Sequence, residues 1–311
     1  MEVIDSQNNR QTSSPSNGIT AQAANPPLTL AAAERYCRQL ATSHYENFVV
    51  ASVFLPKSMR QPFYNIYAYC RSADDLADLS PSPEVATQSL LAWRRHLVDC
   101  FSGRATHPVF VALRDSIHRF DLKMQPFDDL LDAFLQDQYQ TRYSTFDELL
   151  QYCHRSANPV GRILLRMAEA DAAPQNRIWS DSICTGLQLA NHWQDVARDL
   201  QMGRIYLPHA DADRFGVDLN RLTDAPQRED FCKLIHFECA RAKEYLLAGL
   251  PLFDRVPRWL AKDLNLIVQG GLATLEAIAK LDGDVLERRP KVSKLQQMRL
   301  LVAAAVDRLR S

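Results

Sequence analysis

Two stretches of the chain carry acidic side chains at helical spacing. In LQLANHWQDVARDLQMGRIYLP (187–208), the residues Gln188, Asn191, Asp195 and Asp199 follow one another at steps of three, four and four. Such steps place side chains along one face of a helix. The rest of the segment is typical of a buried helix, so an inward-facing carboxylate here needs a partner.

The stretch NIYAYCRSADDLADL repeats this arrangement. Tyr67, Arg71, Asp74 and Asp78 follow at steps of four, three and four, and Asp75 lies beside them. They share one helical face. We expect Arg71 to have an anionic partner, because a guanidinium group inside a helical bundle is uncommon without one.

The chemistry of these two acidic stripes predicts a metal site. Carboxylates on adjacent turns repel one another, and burying them uncompensated costs on the order of several kcal/mol per ion. Ligand sets made only of oxygen favour a hard cation, and Mg²⁺ takes one or two carboxylates together with substrate phosphates. Two facing stripes therefore predict a cluster of about two or three Mg²⁺ ions bridged by a diphosphate.

Each stripe taken alone is also compatible with a solvated helix face. The chain contains a third cluster with the same letters, Asp128, Asp129 and Asp132, just after Pro126. Acids in the first turn of a helix are favoured by its dipole, so we predict that this cluster is structural. The functional interpretation of the two stripes depends on their joint occurrence, each with an amide or arginine in line.

Arg204 follows Gly203, where the helix of the second stripe is expected to end. Two interpretations stay open. The side chain swings toward a diphosphate bound at Asp195 and Asp199, or it only complements the negative end of the helix dipole.

Length and composition favour one helical domain. The 311 residues include only ten glycines, few for strand-and-turn architectures. The formal charge of −1 gives no basic face for nucleic acid. Seven dispersed cysteines without CxxC spacing indicate reduced thiols rather than disulfides or a zinc site. No membrane-spanning run and no secretory signal is found, so a cytosolic protein is predicted.

Apolar residues recur at helical spacing after Pro27. We predict a disordered polar tail over 1–28 and an all-α domain over 29–311. Gly and Pro mark the breaks, and no fixed repeat indicates a solenoid. The expected helices cover 29–42, 45–54, 57–78, 83–101, 108–121, 127–142, 145–171, 175–201, 225–250, 256–281 and 291–309.

Several motifs together resemble the squalene/phytoene synthase family, head-to-head prenyl transferases with the all-α isoprenoid synthase fold, a helical bundle around a central cavity. The resemblance spans about 30 to 300 and rests on HYENFVVASVFLP, IYAYCRSADDLAD, FDELLQYCHRSANPVG, LQLANHWQDVARD with RIYLP, and DVLERRPKVS. The run NHWQDVARDLQMGRIYLP is most similar to the bacterial branch, the hydroxysqualene synthases, that converts presqualene diphosphate to hydroxysqualene on the way to hopanoids.

The resemblance implies a role for each residue of the stripes and for several others. The implied Mg²⁺ ligands are Asp74, Asp78, Asp195 and Asp199, with Asp75 in support. The implied diphosphate contacts are His44, Asn47, Arg71 and Arg204. The implied lining of the reaction chamber is Phe48, Tyr67, Tyr152, Gln188 and Tyr206, and Asn191 lies beside the second metal site.

Three positions depart from the condensing members of the family. Asn47 stands where many have Ser, Gln194 stands where they have Arg, and a late helix that often presents Tyr to the cavity reads IVQGGLATLEAI around Gly270 and Gly271. Condensation holds two anionic diphosphates, whereas rearrangement of presqualene diphosphate holds one. Loss of a cation at position 194 therefore favours the rearrangement.

The reaction implied is ionisation assisted by Mg²⁺, rearrangement of the carbocation among aromatic faces, and capture by water. Gln188, Asn191 or His154 would hold that water, and each aromatic residue has core filling as its alternative role. The absence of a GxGxxG motif after a strand agrees with a reaction that uses no nicotinamide cofactor.

Two rival functions stay open. One is a condensing synthase that uses farnesyl diphosphate to make presqualene diphosphate, squalene or dehydrosqualene, and the other is a non-catalytic prenyl-diphosphate-binding helical protein. Transient contact with other squalene-pathway enzymes or with the inner face of the membrane also stays open. No basic amphipathic helix in the sequence indicates such a contact.

Overall fold

The computed structural model describes residues 28–43 and 55–292. This part of the chain contains helices and no β-strand, which confirms the all-α class. Its α-helices are α1 (Leu30–Ser43), α2 (Lys57–Asp78), α3 (Pro83–Phe101), α4 (Pro108–Phe120), α5 (Gln125–Gln136), α6 (Phe146–Ser156), α7 (Asn158–Met167), α8 (Pro174–Gln201), α9 (His209–Arg214), α10 (Arg228–Ala248) and α11 (Arg258–Ala279). Three 3-10 turns follow α9, at Leu219–Arg221, Ala225–Gln227 and Leu250–Asp254.

The helix expected over 145–171 is two helices in the structure. Ala157 separates α6 from α7 with φ −121° and ψ −48°. Pro159 explains the break, because it has no N–H to donate and its ring would clash with the carbonyl of Arg155 in a continuous helix. The expected helix was therefore wrong at this point.

The helix expected over 127–142 ends early, at Gln136. The chain that follows is paired with the segment after α8: the backbone N–H of Ile205 donates to the carbonyl of Thr141, and that of His209 to the carbonyl of Tyr143, both at 2.9 Å. These long-range hydrogen bonds replace the helical ones, and local periodicity does not reveal them.

The two acidic stripes lie on the two central helices. α8 packs against α7, α10 and α11, while α2 packs against α1, α3 and α4. The buried core around α8 includes Trp193 and Phe231, and the core around α2 includes Tyr69 and Phe110. Trp259 packs against both cores. A rigid, well-packed helix therefore carries each stripe.

All seven cysteines are free thiols, as the sequence predicts. Among the residues that the structure describes, no helix is long and apolar enough to cross a membrane. Residues 1–27 of the tail predicted over 1–28, the expected helix over 45–54 and the residues from 293 onward lie outside the described residues.

Two glycines in helices predict opposite effects on stability. A Cβ added at Gly186 would lie 2.8 Å from the backbone nitrogen of Leu246, whereas one added at Gly270 would meet nothing within 4 Å. Gly186→Ala should therefore lower the free energy of unfolding by about 1–3 kcal/mol. Gly270→Ala should raise it by about 0.5–1 kcal/mol, because alanine loses less chain entropy in a helix. Urea denaturation of both variants checks this, and equal midpoints would contradict it.

Candidate active site

Both acidic stripes lie near the C-terminal ends of their helices, since α2 ends at Asp78 and α8 ends at Gln201. The helix dipole is negative at that end and opposes carboxylates there. The third cluster differs, because Asp128 lies in the first turn of α5 and pairs with Arg94 at 2.8 Å, and Asp132 also pairs with Arg94. That arrangement agrees with the structural interpretation, whereas the two stripes require cations.

Arg71 supplies the first cation. Its Nη1 lies 3.0 Å from Asp74, and its Nη2 pairs with Asp75. Burial, together with the neighbouring charge of Asp78, raises the pKa of Asp74 despite this pairing. Arg71 therefore pairs with aspartates of its own stripe, although one guanidinium does not neutralise three carboxylates. Its contact with a diphosphate stays a prediction.

Arg204 connects the two stripes. Gly203 ends α8 in the left-handed region at φ +76°, and the backbone N–H of Arg204 donates to the carbonyl of Asp199 at 2.8 Å. The side chain then reaches the first stripe, where Nη1 lies 3.1 Å from Oδ1 of Asp78. A cation that only complemented its own helix dipole would not need to cross to α2. The C-terminal ends of α2 and α8 therefore share one guanidinium group.

Arg289 supplies a third cation that the sequence did not predict. Its Nε lies 2.5 Å and its Nη2 3.1 Å from the two carboxylate oxygens of Asp195. The neighbouring Gln194 donates from Nε2 to the carbonyl of Pro290 at 2.8 Å. The segment around Arg289 and Pro290 therefore lies against the second stripe. The motif DVLERRPKVS was noted only as family resemblance, and its pairing with a residue 94 positions earlier has no local pattern.

Asp199 has no ion pair with a residue in the described part of the chain. Burial first, and then the charges of Asp195 and of Asp137, raise its pKa to about 7. Its proton affinity is thus high because the carboxyl group is buried and the negative charge near it is only partly compensated. A divalent cation would relieve the same repulsion.

The donor set fits Mg²⁺ in chemistry. The side chains of Asp74, Asp75, Asp78, Asp195 and Asp199 offer only carboxylate oxygens, which a hard cation prefers. Within the described residues, no group of three His, Cys, Asp or Glu side chains converges on a common metal position. Arginines instead stand against four of these five aspartates. Metal ligation by them stays a prediction.

A third helix end brings one more carboxylate close to the stripes. Asp137 caps the C-terminus of α5. It accepts hydrogen bonds from the hydroxyls of Tyr152, at 2.8 Å, and Tyr206, at 3.3 Å. Burial raises the pKa of Asp137 to about 6, and the charge of Asp78 also raises it. Asp137 was not predicted, because its neighbours belong to three different segments of the chain.

The predicted chamber residues Tyr152, Tyr206 and Gln188 are brought together around His192. The rings of His192 and Tyr206 stack with centroids 3.7 Å apart, and Nε2 of Gln188 lies 3.2 Å from Nε2 of His192. Burial lowers the pKa of His192 to about 3, so this imidazole is neutral. Tyr67 lies in the first stripe, where burial raises its pKa.

Other predicted residues are placed differently. His154 was named as a holder of the terminating water, but its ring nitrogen lies 3.0 Å from Arg162, which pairs with Asp181. His154 and Tyr152 are two residues apart on α6 and so point to opposite faces of that helix. The predicted role of His154 in holding the terminating water is therefore corrected. Asn191 is exposed on the face of the second stripe. The predicted residues His44, Asn47 and Phe48 lie outside the described residues.

A surface cavity of about 510 Å³ is present elsewhere, lined by Asp121, Arg162, Arg166 and others. It includes no residue of either stripe. Two of the three arginines in its lining are paired with acids, Arg162 with Asp181 at 2.7 Å and Arg166 with Asp121 at 2.8 Å. The cavity therefore offers no cluster of unmatched charge, in contrast to the stripes.

Comparisons with known proteins identify the family of the chain. Residues 41–296 match the model of the squalene/phytoene synthase family. The chain is 32% identical to a phytoene synthase of Arthrospira platensis over 89% of this chain and 94% of the relative. It is 30% identical to the 15-cis-phytoene synthase of a Synechocystis strain over 82% of this chain and 80% of the relative.

Solved structures give the same result. The squalene synthase HpnC of Alicyclobacillus acidocaldarius is 39% identical, with a TM-score of 0.77, covering 83% of this chain and 97% of that one. A dehydrosqualene synthase is 26% identical, with a TM-score of 0.80, covering 91% and 98%.

Proposed function

Because this chain belongs to the squalene/phytoene synthase family and is an enzyme of it, we propose that it converts presqualene diphosphate and water to hydroxysqualene and diphosphate. The family acts on prenyl diphosphates, and the arginines and aspartates of α2 and α8 are suited to such a substrate. The choice of this reaction over the condensation of two prenyl diphosphates depends on Gln194. Its amide is engaged by the carbonyl of Pro290, so this position contributes no cation for a second diphosphate.

Sequence similarity supports the squalene route over a carotenoid one. The structure named as a squalene synthase is 39% identical to this chain. The phytoene synthases cited above are 30% and 32% identical, and the dehydrosqualene synthase 26%. No curated relative cited here carries the proposed activity in its name, so the step itself is our proposal.

The chain's own residues would bind and orient the diphosphate. Arg71, Arg204 and Arg289 each contact an aspartate of the stripes, and their guanidinium groups can donate to phosphate oxygens in the bidentate manner of arginine. Mg²⁺ bound by the aspartates would act as Lewis acid, neutralising charge on the departing diphosphate. A substrate held at this array has its phosphates between the ends of α2 and α8.

Aromatic rings would stabilise the carbocation that ionisation leaves. Tyr152 and Tyr206 lie with ring centroids 5.6 Å apart and are both buried. Each ring face can stabilise positive charge by about 0.5–2 kcal/mol. Asn191 is the remaining candidate to hold the terminating water, because Gln188 contacts His192.

Two substrates separate this function from its rivals. Purified protein with Mg²⁺ and no reductant should release diphosphate from presqualene diphosphate and not from farnesyl diphosphate alone. Turnover of farnesyl diphosphate would instead assign a condensing synthase. Binding of both without diphosphate release would assign a non-catalytic binder and overturn the proposal.

A further inference from the structure

Asp137 has two phenol donors and no role in the sequence motifs. The hydroxyl hydrogens of Tyr152 and Tyr206 both point to its carboxylate, at 2.8 and 3.3 Å. A phenol has one hydrogen and two acceptor lone pairs. Each phenol oxygen therefore keeps lone pairs that can accept a hydrogen bond while its hydrogen is donated to Asp137, and Tyr206 is also hydrogen-bonded to Tyr152.

The three segments that carry this cluster are fixed independently of any ligand. Asp137 caps α5, Tyr152 lies in the middle of α6, and Tyr206 belongs to the segment whose neighbours Ile205 and His209 are paired by backbone hydrogen bonds to 141–143. Tyr143 stacks on Tyr206 with centroids 5.7 Å apart. The phenols are thus oriented by packing and by Asp137 together.

The cluster also borders the acidic stripes. The charged and titratable groups acting on Asp137 are Arg204 from the segment after α8, Asp78 from α2, and the two phenols, while Asp137 in turn acts on Asp199 of α8. Arg204 lies between them, because it pairs with Asp78 at 3.1 Å and its charge also acts on Asp137. Tyr206 is two residues after Arg204, so this segment places the phenol cluster next to the array that would bind the diphosphate.

We propose that Asp137 is a positioning residue that holds the hydroxyls of Tyr152 and Tyr206 as acceptors and takes up, through one of them, the proton that the reaction releases. The inference rests on the proposed function. The shorter hydrogen bond favours Tyr152 as the relay. His192 is a poor alternative base, because burial depresses its pKa to about 3.

The bond between carbon and diphosphate oxygen breaks, and its electron pair leaves with the diphosphate. A water oxygen forms the new bond to carbon. One proton of that water passes to the oxygen of Tyr152 while the hydroxyl proton of Tyr152 passes to Asp137. In a condensing reaction the proton would leave carbon instead, and the same acceptor would serve.

The variant Asp137→Asn tests this. Asparagine keeps the shape but donates to a phenol oxygen, which turns a hydroxyl hydrogen toward the substrate. We expect kcat to fall roughly 10²-fold with KM within about threefold of wild type, and Asp137→Glu to recover part of the loss. The matched control Asp132→Asn removes an exposed acid on the same helix that pairs with Arg94, and should keep wild-type kcat.

A double-mutant cycle shows whether Asp137 acts through the phenols. In a Tyr152→Phe, Tyr206→Phe background, Asp137→Asn should lower kcat by less than about threefold further. Multiplicative losses, or wild-type kcat in Asp137→Asn, would overturn the proposal. If Asp137→Asn does not fold, the two phenylalanine variants carry the test, and wild-type kcat in both would overturn it equally.

Diphosphate release is measured with presqualene diphosphate and with farnesyl diphosphate. If wild-type protein turns over neither, the proposed function fails. If it turns over presqualene diphosphate alone and Asp137→Asn matches it, only the inference about Asp137 fails.

Discussion

Asp78→Asn and Asp195→Asn should each lower kcat/KM roughly 10²–10³-fold, because each removes a carboxylate that would bind the Mg²⁺ ions that neutralise the departing diphosphate. Asp78 pairs with Arg204 and Asp195 with Arg289, so each variant also leaves one guanidinium unpaired. Steady-state diphosphate release at several Mg²⁺ concentrations measures the effect. We expect the Mg²⁺ concentration for half-maximal activity to rise in both variants.

The melting temperature distinguishes a direct loss of catalysis in these variants from misfolding. The stripes place like charges at helix C-termini, and Asp195 raises the pKa of Asp199, so Asp195→Asn relieves a repulsion. The melting temperature of the metal-free variant should be equal to or higher than that of wild type. The control is Asp128→Asn in the third cluster, whose partner is Arg94 at 2.8 Å; it should keep activity. Equal losses of kcat/KM in all three variants would contradict the assignment of the two stripes as the active site.

Arg204→Ala should lower kcat/KM roughly 10²-fold, since it removes the cation shared by the ends of α2 and α8. The remaining side chain of Asp78 then lacks its partner at 3.1 Å. Arg204→Lys should recover only part of the activity, because lysine keeps the charge but not the planar fork of donors.

Arg221→Ala is the matched control for Arg204. Arg221 pairs with Asp224 in an exposed turn away from the stripes, and an exposed pair of this kind contributes little. Its kcat/KM should equal that of wild type. An Arg204→Ala variant with unchanged kcat/KM would assign Arg204 to the helix dipole alone.

The stripes could be predicted because their information is local. Steps of three and four residues fix a helical face, and the helices α2 and α8 end within a few residues of the predicted bounds. The all-α class followed from the same periodicity. The same holds for Arg71, whose partners Asp74 and Asp75 are three and four residues away.

The site residues that the sequence did not predict are placed by contacts between distant parts of the chain. Asp137 reaches its position because α5 ends at Gln136, and that end is set by hydrogen bonds between 141–144 and 205–210. Arg289 reaches Asp195 across 94 positions, and Gln194 reaches Pro290 across 96. No helical period predicts such contacts, because they form only once the core has packed.

Oxygen labelling tests the central claim, that the enzyme ionises presqualene diphosphate and ends the reaction with water. Wild-type protein is incubated with presqualene diphosphate and Mg²⁺ in H₂¹⁸O without reductant, and the products are analysed by mass spectrometry. The account predicts a C30 alcohol that carries one ¹⁸O, with no label in the diphosphate, because the carbon–oxygen bond breaks. A hydrocarbon product in place of the alcohol, label in the diphosphate, or no turnover would contradict it.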